Sequence, residues 1–317
     1  MRFMIVVCLM GFAGQAAMSQ IVTFEEHDGR LDILVDGAAF AAYVYQDNEI
    51  LRPYFRNVQA SNGVQVTRTH PPDPEADKDN TDHATFHPGI WLAFGDLGGA
   101  DFWRMKARVR HLRFEQSPES GATGTFTVVN VYETLDTPPT LLCEETCTYT
   151  ITTVQDTRWL FVDSRFRALD TDIAFGDQEE MGLGVRLATP LTVRHGSGEI
   201  VNSEGGVNEK GTWGQQADWC AYSGVVNGNR VGMMLMSDPA NFRRSWFHNR
   251  DYGLMVANPF GKKSMTAPKE RTVPPDATPL PQDERFTLGY AVCVFTAPGE
   301  QHPDYDTLYA TYMAHIE

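Results

Sequence analysis

The sequence predicts an all-β fold, a large antiparallel β-sandwich with a short C-terminal helix, on three observations. Apolar residues recur with period two in runs dominated by β-branched and aromatic side chains. Turn-forming residues punctuate those runs, with 27 glycines and 18 prolines in 317 residues. One stretch alone carries helical spacing, at the very end. On the order of 250 residues of strand and turn is too much for an immunoglobulin-sized module, so a large two-sheet sandwich over residues 20–317 fits better.

Taken in order, the first element reads as an address label. Arg2 precedes an apolar run to Phe12, and Ala17-Met18-Ser19 places small residues at −3 and −1, which predicts a signal peptide over 1–19 with cleavage before Gln20. The run is too short to span a bilayer, and no second apolar span follows. A periplasmic or secreted location is therefore expected. Leu31 to Val35, Asp36-Gly37 and Phe40 to Tyr45 read as a hairpin, because Asp-Gly supplies the positive φ of a tight turn. Phe126, Val128, Asn130 and Tyr132 alternate with Thr127, Val129 and Val131, and Tyr149, Ile151 and Thr153 continue the style. Trp159 to Ala168 sets Leu160, Val162, Phe166 and Ala168 on one face and Asp163, Arg165 and Arg167 on the other. Phe286, Leu288, Tyr290, Val292 and Val294 oppose Thr287, Gly289, Ala291 and Cys293. The Pro-rich stretch Thr266 to Pro281 reads as a long excursion. After Pro303, the residues Tyr305, Leu308, Tyr309, Tyr312, Met313 and Ile316 form one helical stripe, suited to a lid packed across the sandwich.

Charge and cysteine content bound the chemistry. Lys+Arg number 26 against 41 Asp+Glu, a formal charge of −15, which repels phosphate backbones and disfavours nucleic acid. Past the leader, Cys143, Cys147, Cys220 and Cys293 could pack or staple in an oxidising compartment. On a straight strand the Cα atoms of Cys143 and Cys147 would lie about 13 Å apart, too far to bridge.

Polar and aromatic residues crowd into three windows: Arg52 to Arg104, Gly176 to Arg186, and Asn241 to Tyr252 with Asn258 to Lys262 just after. Such windows suit sugars, whose C–H faces stack on aromatic rings while their hydroxyls need paired donors and acceptors. Histidine beside carboxylate can also move protons near neutral pH. Each feature has a plainer reading. His83 and His87 stand four apart and could hold a divalent metal on a helix, but Pro88 pushes His87 towards extended backbone, so loop histidines are the alternative. Glu179-Glu180 on a strand would point one in and one out, leaving at most one for catalysis, and Arg186 could pair with an inward carboxylate. Trp246 and His248 share a strand face from which Phe247 points away; a buried core histidine is the alternative. Arg250-Asp251 could be a structural ion pair. The acidic run Asp73 to Asp82 lacks the spacing of a calcium loop and reads as solvated. No phosphate-binding loop, nucleophile elbow or dinucleotide fingerprint occurs.

The same windows carry a resemblance. Leu51-Arg52-Pro53-Tyr54-Phe55, Thr67-Arg68, His87-Pro88-Gly89-Ile90-Trp91, Gly95-Asp96 and Asp101-Phe102-Trp103 are similar to a bacterial family labelled PmoA-like, or methane oxygenase. Gly176 to Gly184, Asn208-Glu209, Trp219-Cys220, Tyr222, Asn241-Phe242-Arg243, Trp246, His248, Arg250 to Gly253 and Asn258 to Gly261 extend it over nearly the whole chain past the leader. Many relatives carry a Pro-His-His-Arg-Gly cluster where this chain reads Asp82 to Gly89, with one histidine displaced and the arginine absent. The oxygenase label itself does not fit, because a membrane oxygenase subunit crosses the bilayer repeatedly and this chain has no apolar stretch long enough to cross once. The resemblance implies a carbohydrate context and a galactose-mutarotase-like supersandwich, a fold that hosts lyases, epimerases and hydrolases alike.

The expectation is a carbohydrate-active lyase, dehydratase or hydrolase acting on an oligosaccharide or uronic-type sugar by proton transfer, with no cofactor required. His87 or His248 would be base or acid, Glu180 the partner carboxylate, and Arg68 or Arg250 the group that neutralises a substrate anion. Arg52, Trp91, Asp101, Trp103, Trp246, Arg250, Asp251 and Asn258 would bind the sugar. Two alternatives stand: a non-catalytic sugar-binding module, and a metal-dependent enzyme built on His83, His87 and His248.

Overall fold

The computed structural model describes residues 20–266 and 275–316. The expected leader over 1–19, and residues 267–274 of the Pro-rich stretch, lie outside the described residues. In chain order the strands are β1 (Val22–His27), β2 (Arg30–Val35), β3 (Ala38–Val44), β4 (Tyr54–Arg56), β5 (Ile90–Phe94) and β6 (Ala107–Glu119). Then come β7 (Thr123–Thr134), β8 (Leu141–Val154), β9 (Thr157–Ala168), β10 (Ile173–Phe175), β11 (Met181–Arg186) and β12 (Glu199–Asn202). A one-turn helix α1 (Asn208–Thr212) precedes β13 (Gln215–Gln216), β14 (Trp219–Val226), β15 (Asn229–Ser237), β16 (Trp246–Arg250) and β17 (Leu254–Asn258). β18 (Thr278–Leu280), β19 (Arg285–Pro298) and α2 (Tyr305–Ile316) follow.

Two antiparallel sheets pack face to face, as the alternation predicts. Among the described residues one has the order β1-β2-β3-β4-β5-β11-β17-β16-β13 and the other β12-β14-β15-β19-β9-β8-β7-β6; β10 and β18 form a separate ribbon. The hairpin β2–β3 turns at Asp36 and Gly37, both with positive φ, 49° and 77°. The core lies between the sheets. One sheet contributes Ile90, Phe94, Met181, Leu183, Val185, Met255 and Ala257; the other contributes Leu160, Val162, Phe166, Leu288, Tyr290 and Val292.

α2 covers part of the outer face of the eight-stranded sheet. Tyr312 is buried against Trp159, Phe161, Trp219, Met234, Met236 and Phe295, with Tyr305, Leu308, Tyr309, Met313 and Ile316 packed around it. All six positions of the expected helical stripe face the sheet. Burying one such side chain contributes about 1.5–3 kcal/mol.

The four described cysteines are buried and unpaired, so they pack and do not staple. Burial pushes the Cys220 thiol up to about 12. Between Cys143 and Cys147 on β8, Glu145 is buried in the core, where Ser164, Asn130 and Tyr132 donate to its carboxylate. Burial raises its pKa despite those donors. At the other end of this sheet the edge strand β6 is irregular, with three register shifts against β7 between His111 and Glu119. No helix among the described residues is long and apolar enough to cross a membrane.

Candidate active site

The central strands of the nine-stranded sheet bring the three windows together. Trp91, Gly184, Val256 and His248 are consecutive cross-strand neighbours in one row over β5, β11, β17 and β16. In the next row Arg186, Leu254 and Arg250 stand side by side. Period two explains which side they take. Met181, Leu183 and Val185 go to the core, so Gly182, Gly184 and Arg186 face outward. Gly184 leaves room for a tryptophan floor: a Cβ there would lie 2.8 Å from the Trp91 ring and 3.1 Å from Trp103. Phe247 likewise goes to the core and sends Trp246, His248 and Arg250 outward.

Long loops coat this face, and buried arginines hold them down. Arg52 donates to the carbonyls of Trp103 at 2.9 Å and Phe86 at 2.5 Å. Arg68, fully buried, donates to the carbonyls of Asn80 and Asp82 at 2.6 and 2.8 Å. Below it, Arg186 donates to Asn80 at 2.6 Å and Asp82 at 2.7 Å. The segment they support makes one helical turn, since the His87 N–H bonds the His83 carbonyl at 2.9 Å. That turn stacks the two imidazoles ring on ring, 4.9 Å apart, and continues into Trp91 below (5.2 Å) and Tyr252 above (6.4 Å).

The result is a cleft of about 150 Å³ lined by His83, Phe86, His87, Trp103, Arg104, Glu179, Glu180, His248, Arg250, Tyr252 and Leu254. The three windows all reach it, and so do His87, Glu180 and His248. Each histidine has an assignable tautomer. The carbonyl of Glu179 can only accept, so His248 Nδ1 donates to it at 3.1 Å and Nε2 is bare. Arg186 can only donate, so His87 Nδ1 accepts at 3.3 Å and its proton sits on Nε2. His83 Nδ1 donates to the Asp82 carboxylate, leaving its own Nε2 as a base; nearly half of the His83 side chain is exposed. Two arginines, each paired with two carboxylates, frame the opening. Arg104 bridges Glu180 at 2.6 Å and Asp101 at 3.2 Å, and Arg250 bridges Glu209 at 3.1 Å and Glu179 at 3.4 Å.

Electrostatics sort the histidines. Burial, then the Arg186 guanidinium, holds His87 well below the usual imidazole range. Burial and then Arg250 push His248 down to about 3. Both are neutral at physiological pH. The hydrogen bond from His83, then Arg186, holds the Asp82 carboxyl far below its usual range, so Asp82 is charged beside His83. An oriented imidazole with a carboxylate on Nδ1 and an open Nε2 is the arrangement of a general base.

Several expected roles change. Arg68 and Arg52 are struts beneath the loops, their guanidiniums spent on backbone carbonyls. Trp91 is buried under His87, so it supports the floor and does not meet a sugar. Asp101 caps the 101–104 turn by accepting from the Arg104 N–H at 2.9 Å. Asp251 does not pair with Arg250; it accepts from the Glu209 N–H at 2.9 Å and tethers α1. Asn258 is buried and holds the 178–179 segment by donating to the carbonyls of Gln178 and Glu179 at 2.7 and 3.1 Å. Trp246 lies on the same strand face as His248, outside the cleft lining, under Arg243. Glu179 and Glu180 precede β11 and do not lie on it, so both reach the cleft. The Arg186 partner is Asp82, not either of them. The acidic run is only partly solvated, because Asp77 and Asn80 are buried and bonded to Thr189 at 2.7 and 2.9 Å. Trp103, His87, His248, Glu180 and Arg250 do line the cleft. Asp82, Arg104, Glu179 and Tyr252 were not singled out for roles there. The adjacency Asp82-His83 was a visible signal, whereas Arg104 carried none. Among the described residues no three His, Cys, Asp or Glu side chains are grouped to hold a metal ion.

Comparison with known proteins adds a family. The fold is similar to the galactosidase domain of alpha-galactosidase-sucrose kinase, AgaSK, at 10% identity and a TM-score of 0.39 over 88% of this chain and 42% of that one. It is also similar to heparan sulfate lyase HepC from Pedobacter heparinus, at 9% identity and a TM-score of 0.33 over 87% of this chain and 34% of that one. For the alpha-galactosidase from Lactobacillus brevis the values are 9% and 0.38, over 88% and 40%. The chain thus spans less than half the length of each. No curated protein matches it. Residues 30–302 match the family described as a family of unknown function (DUF6807), and the chain belongs to that family.

Proposed function

We propose that this protein is an extracytoplasmic carbohydrate-active enzyme that works by proton transfer in the cleft over Gly184. The PmoA-like kinship read from the motifs, with its carbohydrate context, is part of this proposal. The observation that carries the reading is the Asp82–His83 pair, a base oriented by a carboxylate and open to solvent beside aromatic rings. Phe86 and Tyr252, which are only half-buried, offer ring faces to sugar C–H groups, and the Arg104–Glu180 and Arg250–Glu179 pairs offer donors and acceptors to hydroxyls. His83 Nε2 would take a proton from a hydroxyl or an acidic C–H. His248, neutral and fixed, would hold the substrate as an acceptor. At about 150 Å³ the cleft is below the roughly 300 Å³ of common ligand pockets, which favours a single terminal ring over the interior of a polysaccharide. A uronic-type ring requires an uncommitted cation. Arg194, 5.7 Å from the centre of the Tyr252 ring, has no carboxylate partner among the described residues.

The test is a panel of neutral and uronic oligosaccharides assayed by mass spectrometry across pH 5–8. His83→Ala should lower turnover at least about a hundredfold, the usual worth of general acid–base help. Retention of full turnover in that variant removes His83 from the mechanism. A second reading is favoured by the ion pairing itself: both cleft glutamates are already matched to arginines, as a non-catalytic binding site would have them. Calorimetric binding without product would establish that module. The metal-dependent reading on His83, His87 and His248 is tested by elemental analysis of protein purified without chelators.

A further inference from the structure

A second cleft, of about 370 Å³, lies where the start of β6 meets the loop 45–52. Its lining includes Tyr45, Asn48, Arg52, Arg108, Arg110 and His111. Arg108 and Arg110 alternate on one face of β6, and both close on Glu133 of β7, whose side chain is fully buried. Arg110 holds Glu133 in a fork, Nε at 2.9 Å and Nη2 at 2.8 Å, while Arg108 adds Nε at 2.8 Å. These bonds leave the Nη1 edge of each guanidinium uncommitted, with the two side chains 40% and 44% exposed. The hydrogen bond from Arg110, against the opposing effect of burial, holds the Glu133 carboxyl low, so the carboxylate is charged and competes with a ligand for both arginines. Across the cleft the Tyr45 ring packs on His111 at 4.7 Å.

Arg108 and Arg110 share the single carboxylate of Glu133, while Asp47 lines the cleft and Glu26 and Asp28 act on Tyr45. Asp47 already accepts from Glu49 at 2.7 Å, Ile50 at 3.1 Å and the Tyr54 hydroxyl at 2.8 Å. Two guanidinium edges that share one carboxylate, beside an aromatic wall, select for an anion carried on a ring.

We propose that this cleft is a second binding site, separate from the acid–base cleft, for a carboxylated sugar ring. The carboxylate meets the free edges of Arg108 and Arg110, and the ring lies on Tyr45. Arg52 joins the two clefts, since its guanidinium also carries the Trp103 and Phe86 carbonyls of the first.

The experiment is calorimetric titration of the full chain at low salt with D-glucuronate, D-glucose and sulfate as probes. Wild type should bind glucuronate in preference to the other two. Exchanging both arginines (R108K with R110K) keeps Glu133 neutralised but loses the planar fork, and should weaken glucuronate about tenfold. Tyr45→Ala should weaken it without altering the arginines. Glu133→Gln should tighten it by releasing both guanidiniums, a gain that damage to the fold would not produce. Glu180→Gln, in the other cleft, should leave this affinity unchanged. Glucose or sulfate binding as tightly as glucuronate overturns the proposal. So does unchanged affinity in the double lysine variant, or loss of affinity in Glu180→Gln alone.

Discussion

The two outer faces of the sandwich are covered in opposite ways. Over the eight-stranded sheet a single helix packs six aromatic and aliphatic side chains on a patch that includes Trp159, Phe161 and Trp219. Over the nine-stranded sheet the cover is loop, and a loop must satisfy its backbone polar groups. Arg52, Arg68 and Asn258 do that from beneath while Arg186 holds the side chains of Asn80 and Asp82, and the space between the loops remains as a polar cleft. Apolar periodicity closes the part of the face that the helix covers, whereas a face covered by loops on buried arginines keeps an opening.

Tyr312→Ala should cost about 3–5 kcal/mol of stability, the range for losing a large buried aromatic, and leave turnover per folded molecule unchanged. Calorimetry with a parallel assay checks both halves; a loss of specific activity would tie the helix face to the site. Asp82→Asn should do the reverse. It removes the acceptor that orients His83 and should lower turnover about a hundredfold, with a smaller change in Tm. Gly184→Ala drives a methyl into the tryptophan floor and should cost about 1–3 kcal/mol as overpacking, read by denaturant titration and by Trp fluorescence.

Acid should act on the loop-covered face first. His87 and His248 have folded pKa values below the unfolded value, so their stability contribution is present above about pH 6.5 and falls as pH drops below it. Each should lose about 1.4 kcal/mol per pH unit until its folded pKa is reached. His248→Gln should flatten the stability–pH curve between pH 4 and 6. Glu145 has the opposite sign. Its raised folded pKa means stability is full below the unfolded carboxyl value and declines as pH rises through the folded one. Glu145→Gln should therefore raise Tm by a few degrees at neutral pH and show no gain in acid. Unchanged Tm at neutral pH would show that the Ser164, Asn130 and Tyr132 hydrogen bonds offset its burial.

These two faces also differ in how much of them was legible in the sequence. The helix stripe and the strands of the core were readable because burial imposes a period on the residue types. The gathering of the three windows was readable too, because aromatic and charged residues crowd where backbone is irregular. Individual roles were not. Arg68 and Arg104 are the same residue type in the same window, yet one is spent on carbonyls and the other faces the cleft. That difference is set by which loop folds over which, and no local pattern encodes it. Strand alternation would separate Glu179 from Glu180, but the chain turns there to enter β11 and both reach the cleft. His83 was paired with His87 as a ligand set, while its partner is its neighbour Asp82.

The irregular rim at β6 bears on assembly. Three register slips between His111 and Glu119 break the line of open backbone donors and acceptors that an incoming strand would need. Arg113, Glu115 and Pro118 add charge and a missing donor along the same border. A second copy could not zip onto this side without first straightening it, so the protein is guarded there against ribbon-like polymerisation at high concentration.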